Sequence, residues 1–244
     1  MIVTGASAGI GAAVARRVAA EGARVVGVGR RADAGQALVE QLGGPDKARF
    51  VAGSVADHPT VEQALDAAEH WGGLDVLVNN AARDHVGPLL TTPADEVREV
   101  FETNFFGALW MLQAAGRAMG ERGGGSIVNI TSRLASIGVP TMTLYGASKG
   151  ALLALTRGAA VELAPLGVRV NAVAPGQTRT ALTEVWIAQQ QDPRASEAAA
   201  VAGIPQQRFG DPDEVAATVA FLAADESAHI TGASIPVDGG YTAA

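Results

Sequence analysis

A tyrosine and a lysine stand four residues apart in the segment Tyr145-Gly146-Ala147-Ser148-Lys149, in a chain that contains only two of each. If this segment is helical, the two side chains share one face, about 6 Å apart along the helix axis. An ammonium group at that distance lowers the pKa of a phenol from ~10 towards neutrality. The pair predicts an acid–base catalyst, and a solvated helix face with an amphipathic tyrosine is the alternative.

Two other polar residues are candidates for the same chemistry. Ser132, thirteen positions before Tyr145, follows an apolar run typical of a strand. Its hydroxyl could donate to a substrate oxygen that gains negative charge, although it could equally cap a turn, and Thr131 could do likewise. Asn104 falls inside a predicted helix, where asparagine is disfavoured. A local distortion that binds water and a merely tolerated polar residue are both compatible with this position.

A glycine-rich turn lies between the first apolar run and the first helical segment. It reads Thr4-Gly5-Ala6-Ser7-Ala8-Gly9-Ile10-Gly11, and no Gly-Lys-Ser/Thr follows, which excludes a P-loop. Gly5 permits a tight turn, Gly9 and Gly11 permit close backbone approach, and the helix start beside Ile10 offers free N–H groups to a pyrophosphate. The turn predicts a dinucleotide site, and a plain tight turn is the alternative.

The residues after the second apolar run bear on the type of dinucleotide. Arg30 and Arg31 follow that run, about 20 residues past the glycines, where the adenine ribose lies in dinucleotide folds. A guanidinium favours a 2′-phosphate, so NADP(H) is the predicted cofactor, with NAD(H) possible. Asp33 would suit NAD(H), but Asp33-Ala34-Gly35-Gln36 is typical of a helix cap, which gives Asp33 a structural role.

The elements that must position these residues alternate regularly. Seven short runs rich in Val and Ile are separated by helical segments, a pattern typical of a doubly wound α/β fold with a seven-stranded parallel sheet and helices on both faces. Thr92-Pro93-Ala94-Asp95 and Asp211-Pro212-Asp213-Glu214 predict two helix starts. The predicted strands are 1–4, 24–29, 48–52, 74–79, 126–130, 168–172 and 233–237.

Composition narrows the function classes. With 244 residues, 48% hydrophobic and 18% charged, the chain can bury a large core, and residues 1–244 are predicted to form one domain. It has no cysteine, and its four histidines lack metal-ligand spacing, so no metal site is predicted. A net charge of −7 disfavours nucleic acid. Neither a membrane span nor a secretion signal is evident, so a cytoplasmic protein is expected.

Taken together, these motifs resemble the short-chain dehydrogenase/reductase family, in its branch of roughly 250-residue enzymes. The resemblance runs from Met1 to Tyr241, and the Tyr-xxx-Lys spacing with serine thirteen residues earlier is its most specific part. The motifs that carry it are Thr4-Gly5-xxx-Gly9-x-Gly11, Asn79-Asn80-Ala81-Ala82, Asn104, Ser132, Tyr145-xxx-Lys149 and Pro175-Gly176.

The resemblance implies a role for each catalytic position. Tyr145 would exchange a proton with the substrate oxygen, while Lys149 would lower the tyrosine pKa and hold the nicotinamide ribose. Ser132 would orient the carbonyl, and Asn104 would hold a water that links Lys149 to solvent. The family usually forms a homotetramer or dimer.

The resemblance also implies contacts to the cofactor. Asn79 and Ala81 would line it, and Thr178 and Thr180, after Pro175-Gly176, would contact the carboxamide. Arg30 would carry most of the phosphate recognition, helped by Ser7. Ser54-Val55 replaces the Asp-Val of many relatives, which changes the adenine contact.

The substrate side is predicted from position. Residues 178–207, with Trp186, fall where relatives carry a mobile substrate lid, and residues 189–193 indicate a break between two short helices. His85, Arg133 and Leu134 are further candidates for the cleft wall. The predicted function is an NADP(H)-dependent oxidoreductase that interconverts a ketone and a secondary alcohol. A non-catalytic dinucleotide-binding protein and an imine or alkene reductase are the alternatives.

Overall fold

The computed structural model describes residues 1–244 and shows one sheet of seven parallel strands in the order β3-β2-β1-β4-β5-β6-β7. The predicted doubly wound sheet is thereby confirmed. Six strands end where the sequence pattern ends them, whereas the sixth runs to Pro175, three residues further than predicted. The strands are β1 (Ile2–Thr4), β2 (Val25–Gly29), β3 (Ala48–Ala52), β4 (Val76–Asn79), β5 (Gly125–Ile130), β6 (Val168–Pro175) and β7 (Ser234–Val237).

Nine α-helices pack on the two faces of the sheet or follow its last strands. None of them combines the length and the apolar character that a membrane crossing requires. The helices are α1 (Gly9–Ala20), α2 (Ala32–Gln41), α3 (His58–Glu69), α4 (Ala94–Phe101), α5 (Gly107–Glu121), α6 (Thr143–Leu163), α7 (Ala181–Ala188), α8 (Pro193–Ala202) and α9 (Pro212–Ala223), with a π-helical turn over Glu102–Phe106 between α4 and α5.

The sheet is buried on both faces, which explains why its strands are apolar without alternation. One core cluster of 20 buried residues lies between the sheet and helices α1, α2 and α9, and a second cluster of 18 lies on the opposite face with α3, α5 and α6. Val3 in the first cluster and Ile2 in the second are neighbours on β1 and are both fully buried. The strand after the N-terminus is therefore part of both cores.

One of the predicted helix caps is confirmed, and two are wrong. Asp211 caps α9 in a capping box with Glu214, as the sequence indicates. The predicted cap at Thr92 is wrong, because Pro93 occupies that position and the Thr92 hydroxyl donates to the Pro88 carbonyl at 2.8 Å. The cap at Asp33 is also wrong, because α2 begins two residues earlier than expected and Arg31 precedes its first residue.

The strand order reverses between β1 and β4, which are neighbours although three strands apart in numbering. After β1 the chain continues to β2 and β3 on one side of the sheet, and after β4 it continues to β5 and β6 on the other side. Such a switch point opens a crevice beyond the carboxyl ends of the strands, where ligands of this architecture bind. The glycine turn and the segment after β4 both begin there.

Candidate active site

A cavity of about 750 Å³ lies at this switch point. Its lining joins the turn after β1, the segments after β4, β5 and β6, and helices α6 and α7. Residues far apart in the sequence thus meet at one edge of the sheet. The candidate residues that line the cavity are Gly5, Gly9, Ile10, Ala81, Ser132, Arg133, Leu134, Tyr145, Lys149, Pro175, Gly176, Thr178, Thr180 and Trp186.

Helix α6 carries both Tyr145 and Lys149, as the four-residue spacing predicts. The Lys149 Nζ atom lies 5.7 Å from the centre of the Tyr145 ring and donates to the Ile130 carbonyl at 2.8 Å. Lys149 is only 1% exposed, and this burial lowers its pKa from 10.5 to about 8. Its ammonium group is therefore held at the carboxyl end of β5, on the floor of the cavity.

The Tyr145 pKa shifts in the direction opposite to the one predicted. Burial of the phenol raises its pKa, the Asp84 carboxylate raises it further, and the Ser132 hydroxyl opposes the change. Withdrawal from water disfavours the phenolate, and the Ser132 hydroxyl does not offset this. At neutral pH the phenol therefore keeps its proton and is able to donate it.

Ser132 lies two residues beyond β5 and is buried at the cavity wall. Its Oγ accepts a hydrogen bond from the Leu134 amide at 3.1 Å, which fixes the following turn. The neighbouring hydroxyl of Thr131 donates instead to the Val173 carbonyl on β6 at 3.0 Å. Of the two hydroxyls, the one at Ser132 is therefore the one that lowers the pKa of Tyr145.

The predicted distortion at Asn104 is present, because this residue lies in the π-helical turn between α4 and α5. Its Nδ2 donates to the Ser148 hydroxyl at 2.9 Å and to the Arg83 carbonyl at 3.0 Å, and its Oδ1 accepts from the Arg83 amide at 2.7 Å. Asn104 is fully buried and does not line the cavity. Its side chain ties the segment after β4 to α6, next to Tyr145.

The glycine turn has the close packing that its sequence predicts. Gly5 and Gly9 have φ angles of +64° and +52°, in the left-handed region that favours glycine. A Cβ atom at Gly11 would lie 2.3 Å from the Gly5 carbonyl oxygen. No side chain caps the start of α1, so its first backbone N–H groups are free beside the cavity. These features fit the pyrophosphate of a dinucleotide.

Two residues that fix this turn were given no role by the sequence reasoning. The Thr4 hydroxyl accepts from the amides of Asn80 and Ala81 at 2.9 and 3.0 Å. Asn80 in turn donates from Nδ2 to the carbonyls of Thr4 and Gly5 at 2.9 and 3.3 Å. Thr4 and Asn80 both belong to the motifs quoted above. Those motifs do not indicate, however, whether Asn79 or Asn80 faces the turn.

The side chain of Asn79, for which a cofactor contact is predicted, does not line the cavity. Its side chain is buried and donates from Nδ2 to the Ala108 carbonyl at 3.1 Å and to Asn129 Oδ1 at 3.0 Å. Successive side chains of a strand point to opposite faces. Asn79 therefore faces the core, and its neighbour Asn80 faces the glycine turn.

At the end of β2 the structure distinguishes the two arginines. Arg31 donates from Nη2 to the backbone and side-chain oxygens of Ser7, both at 3.4 Å. Arg30 is exposed and makes no hydrogen bond or ion pair. The cation beside the glycine turn is therefore Arg31, whereas the sequence reasoning gave the larger role to Arg30.

Three other candidates lie outside the cavity. Val55 is buried against α5 beside Gly107, and the Ser54 hydroxyl accepts from the Ala56 amide at 3.2 Å within the turn after β3. His85, a candidate for the cleft wall, does not line the cavity, and its Nε2 atom pairs with Glu96 of α4 at 3.2 Å. This interaction turns the ring away, so that the adjacent Asp84 and Val86 line the cavity instead.

Residues 178–207 contain α7 and α8, which are separated by residues 189–192, within the break predicted at residues 189–193. Thr180 caps α7 by accepting from the Thr183 amide, and the Thr183 hydroxyl donates to the Thr178 carbonyl at 2.6 Å. Arg179 forms ion pairs with Glu184 and Glu197, one on each helix. We call residues 178–207 the α7–α8 segment.

Comparisons with known proteins agree with this geometry. A family model described as Enoyl-(Acyl carrier protein) reductase matches residues 5–242. D-threitol dehydrogenase of Mycolicibacterium smegmatis is 39% identical over 243 residues, covering 99% of this chain and 92% of the relative. Galactitol 2-dehydrogenase (L-tagatose-forming) of Cereibacter sphaeroides is 40% identical over 242 residues, covering 98% and 93%.

The solved structures give the same result. A short-chain type dehydrogenase/reductase from Mycobacterium marinum superposes with a TM-score of 0.90 at 37% sequence identity, covering 100% of this chain and 95% of that one. The sheet, the glycine turn, the Tyr145–Lys149 pair and these relatives lead to one conclusion: the chain belongs to the short-chain dehydrogenase/reductase family and is an oxidoreductase of the alcohol dehydrogenase type, a class that uses NAD(P)(H).

Proposed function

We propose that the protein is an NADP(H)-dependent oxidoreductase that interconverts a ketone and a secondary alcohol. The observation that carries the proposal is the convergence of Ser132, Tyr145 and Lys149 on the same cavity as the glycine turn. A chain that only bound a dinucleotide would not need a buried lysine beside a tyrosine at the opposite wall. The complete set therefore favours catalysis over a sensor or scaffold role.

The residues present fit a bound dinucleotide. The glycine turn leaves room for a pyrophosphate. A Cβ atom at Gly9 would lie 3.4 Å from Cγ2 of Thr180 and would restrict this space. Bound NAD(P)H supplies a hydride to the carbonyl carbon, and NAD(P)⁺ accepts one from the alcohol carbon. Lys149 would hold the nicotinamide ribose, and Thr178 and Thr180 would contact the carboxamide. Ala81, Pro175 and Gly176 would complete the walls.

Tyr145 would supply the proton for carbonyl reduction. Its raised pKa keeps the phenol protonated at neutral pH, so it can give a proton to a carbonyl oxygen as that oxygen gains charge. Ser132, which lines the same cavity, would donate a second hydrogen bond to the same oxygen. In the oxidation direction the phenol must first lose its proton, so the rate of alcohol oxidation should rise with pH.

The preference for NADP(H) rests on the end of β2. Arg31 reaches Ser7, which places a guanidinium and a hydroxyl side by side where a 2′-phosphate would lie. Arg30 would add a second positive charge from its exposed position. Asp33 is exposed in the first turn of α2, and no hydrogen bond or ion pair orients its carboxylate towards the place of a ribose.

Some roles implied by family membership extend this proposal. Asn104 would hold the water that connects Lys149 to solvent, and Ser54 and Val55 would border the adenine. We also propose a cytoplasmic homo-oligomer, a tetramer or dimer. Exposed apolar side chains on and just after α6, Val161 and Leu166, support an interface between copies.

The test is the oxidation of NADPH and of NADH by the purified protein with ketones of varied size, including cyclic ketones and ketoses. We expect turnover with several ketones and at least a ten-fold higher kcat/KM with NADPH than with NADH. A clear preference for NADH would overturn the cofactor assignment. Binding of NADPH without oxidation by any ketone would favour the non-catalytic alternative.

A further inference from the structure

Helix α7 has more apolar side chains than the protein core covers. Six of its eight residues are apolar, yet Ile187 alone is buried. Ile187 packs with Ile204 and Phe209 and so holds the helix to the chain that follows α8. Apolar helix surface that the core leaves uncovered is a candidate contact surface for a ligand.

That face points into the cavity. Leu182, Val185 and Trp186 are 61%, 52% and 37% exposed, and all three line the cavity. Residues three and four positions apart lie on the same side of a helix. This side is continuous with the part of the cavity that holds Tyr145.

Other apolar side chains complete the surroundings of this face. Val139, Pro140 and Met142, from the loop before α6, line the same cavity, as does Val86 from the segment after β4. Val86 is 60% exposed. Exposed apolar surface that is contiguous with a cleft indicates a binding site for apolar groups.

Three polar side chains of this part of the cavity have contacts within the protein, although Nη1 of Arg133 is buried without a hydrogen-bond partner. Asp84 accepts from the His85 amide at 2.9 Å, and the Thr141 hydroxyl donates to the Pro140 carbonyl at 2.6 Å. The Arg133 guanidinium stacks on the Tyr241 ring at 3.9 Å. A ligand with many hydroxyls needs a free partner for each of them, because unpaired buried polar groups are costly.

We propose, on the basis of the function proposed above, that the substrate is a ketone or secondary alcohol with an apolar alkyl or aryl substituent. The reacting carbonyl would lie at Ser132 and Tyr145, and the substituent would cover Leu182, Val185 and Trp186. The substrate class would thus differ from the sugar alcohols in the names of the two dehydrogenases described above.

The first experiment compares methyl alkyl ketones of increasing length, from butanone to decanone, with the ketose erythrulose. Burial of each added methylene against the α7 face should raise kcat/KM with NADPH by about four-fold until the face is covered. We expect erythrulose to be at least about a hundred-fold poorer than octanone. A kcat/KM that does not change with length, with erythrulose as the best substrate, would overturn the substrate class and leave the oxidoreductase function intact.

Substitutions on α7 locate the effect. Val185→Thr keeps the shape of the side chain but puts a hydroxyl on the apolar face, and should lower kcat/KM for octanone about ten-fold while butanone changes less than about two-fold. Ala188→Ser is the control, because Ala188 is on the same helix but outside the cavity. Equal effects of the two substitutions on octanone would contradict the proposal.

Binding without cofactor separates the two proposals. Aliphatic alcohols should change the fluorescence of Trp186, with an affinity that rises with chain length and falls in Val185→Thr. Trp186→Phe identifies this signal among the three tryptophans. Length-dependent binding without turnover of any ketone would support the apolar site and refute the reaction. Absence of both would refute the apolar site as well.

Discussion

The two ends of the cleft are built in different ways. At the end formed by the glycine turn, the backbone is packed so closely that a Cβ atom at Gly11 would lie 2.3 Å from a carbonyl oxygen. At the other end, α7 has one buried residue and α8 has none. The α7–α8 segment is held by exposed ion pairs of Arg179 and by a small cluster of three buried residues.

This difference indicates which part of the function each end controls. Close backbone packing fixes the position of atoms to a fraction of an ångström, which suits an end that binds an invariant dinucleotide. Exposed helices tolerate changes of side chain without loss of the core. The choice of substrate can therefore vary at α7 while the sheet and the glycine turn stay unchanged.

The largest effect is expected where the two ends meet. Tyr145→Phe removes the proton donor and should lower kcat for ketone reduction by about 10²–10⁴-fold, with the Kd for NADPH changed less than about three-fold. Tyr241→Phe makes the same chemical change at the other tyrosine and should keep normal turnover. Steady-state kinetics and a fluorescence titration of NADPH measure the two quantities. Turnover of Tyr145→Phe close to that of the unaltered protein would refute the role of the phenol.

Gly11→Ala tests the packing at the cofactor end. The added methyl group collides with the Gly5 carbonyl, so the free energy of unfolding should fall by about 2–3 kcal/mol and NADPH binding should weaken with it. Gly158→Ala is the matched control, because its Cβ would meet nothing within 4 Å on α6, and it should stabilise the chain by up to ~1 kcal/mol. Urea unfolding of both variants makes the comparison. Equal stabilities would remove the contrast between the two ends.

Arg31→Gln tests which cation recognises the 2′-phosphate. Loss of a charge-assisted hydrogen bond should raise the KM for NADPH by about ten- to thirty-fold and leave the KM for NADH unchanged. Arg30→Gln should have the smaller effect, since Arg30 makes no contact with the glycine turn. If Arg30→Gln has the larger effect, the assignment from the structure is reversed.

Lys149→Met tests the cost of burying the ammonium group. Because burial lowers the pKa of Lys149 to about 8, the folded chain still holds the ammonium form at pH 7, but holding it costs free energy relative to the unfolded chain. Methionine should therefore stabilise the fold by about 1–2 kcal/mol at pH 7, after allowance for the lost hydrogen bond to Ile130, while it abolishes turnover.

The pH dependence of this difference has a definite sign. Between pH 8 and 10.5 the folded chain has released the Lys149 proton and the unfolded chain still holds it, so the stability of the unaltered protein rises. The advantage of Lys149→Met should shrink across this range. An advantage that stays constant with pH would show that the lysine is not buried as a cation.

The smallest effect is expected at the other end of the cleft. Arg179→Ala removes exposed ion pairs with Glu184 and Glu197, and should change the free energy of unfolding by less than ~1 kcal/mol. The same variant should raise the KM for ketones more than it changes kcat, because the α7–α8 segment becomes less ordered. A loss of stability as large as that of Gly11→Ala would show that the segment is part of the core.

Much of this architecture could be predicted from local pattern. Buried parallel strands need apolar runs, so the strand positions follow closely from the sequence. Only the length of β6 is underestimated, because the strand ends at Pro175 and proline is unusual in strands. Tyr145, Lys149 and Ser132 were identified because their spacing and the position of Ser132 after a strand are local features. The break between α7 and α8 was also evident from residues 189–193 alone.

The errors share a different cause. Whether Asn79 or Asn80, or Arg30 or Arg31, faces the glycine turn depends on side-chain direction at the end of a strand, which composition does not reveal. His85 pairs with Glu96, which lies on helix α4 and not on the segment that follows β4. The Tyr145 pKa depends on burial and on Asp84, neither of which follows from the distance to Lys149. These features are set by tertiary contacts.

The most direct test of the account is a crystal structure of the protein with bound NADPH. We expect the pyrophosphate at the glycine turn, the 2′-phosphate beside Ser7 and Arg31, and the nicotinamide ring between Tyr145 and Thr178. A dinucleotide bound with its nicotinamide away from the Tyr145 hydroxyl would contradict the proposed catalysis, even if the adenine end lay where we place it.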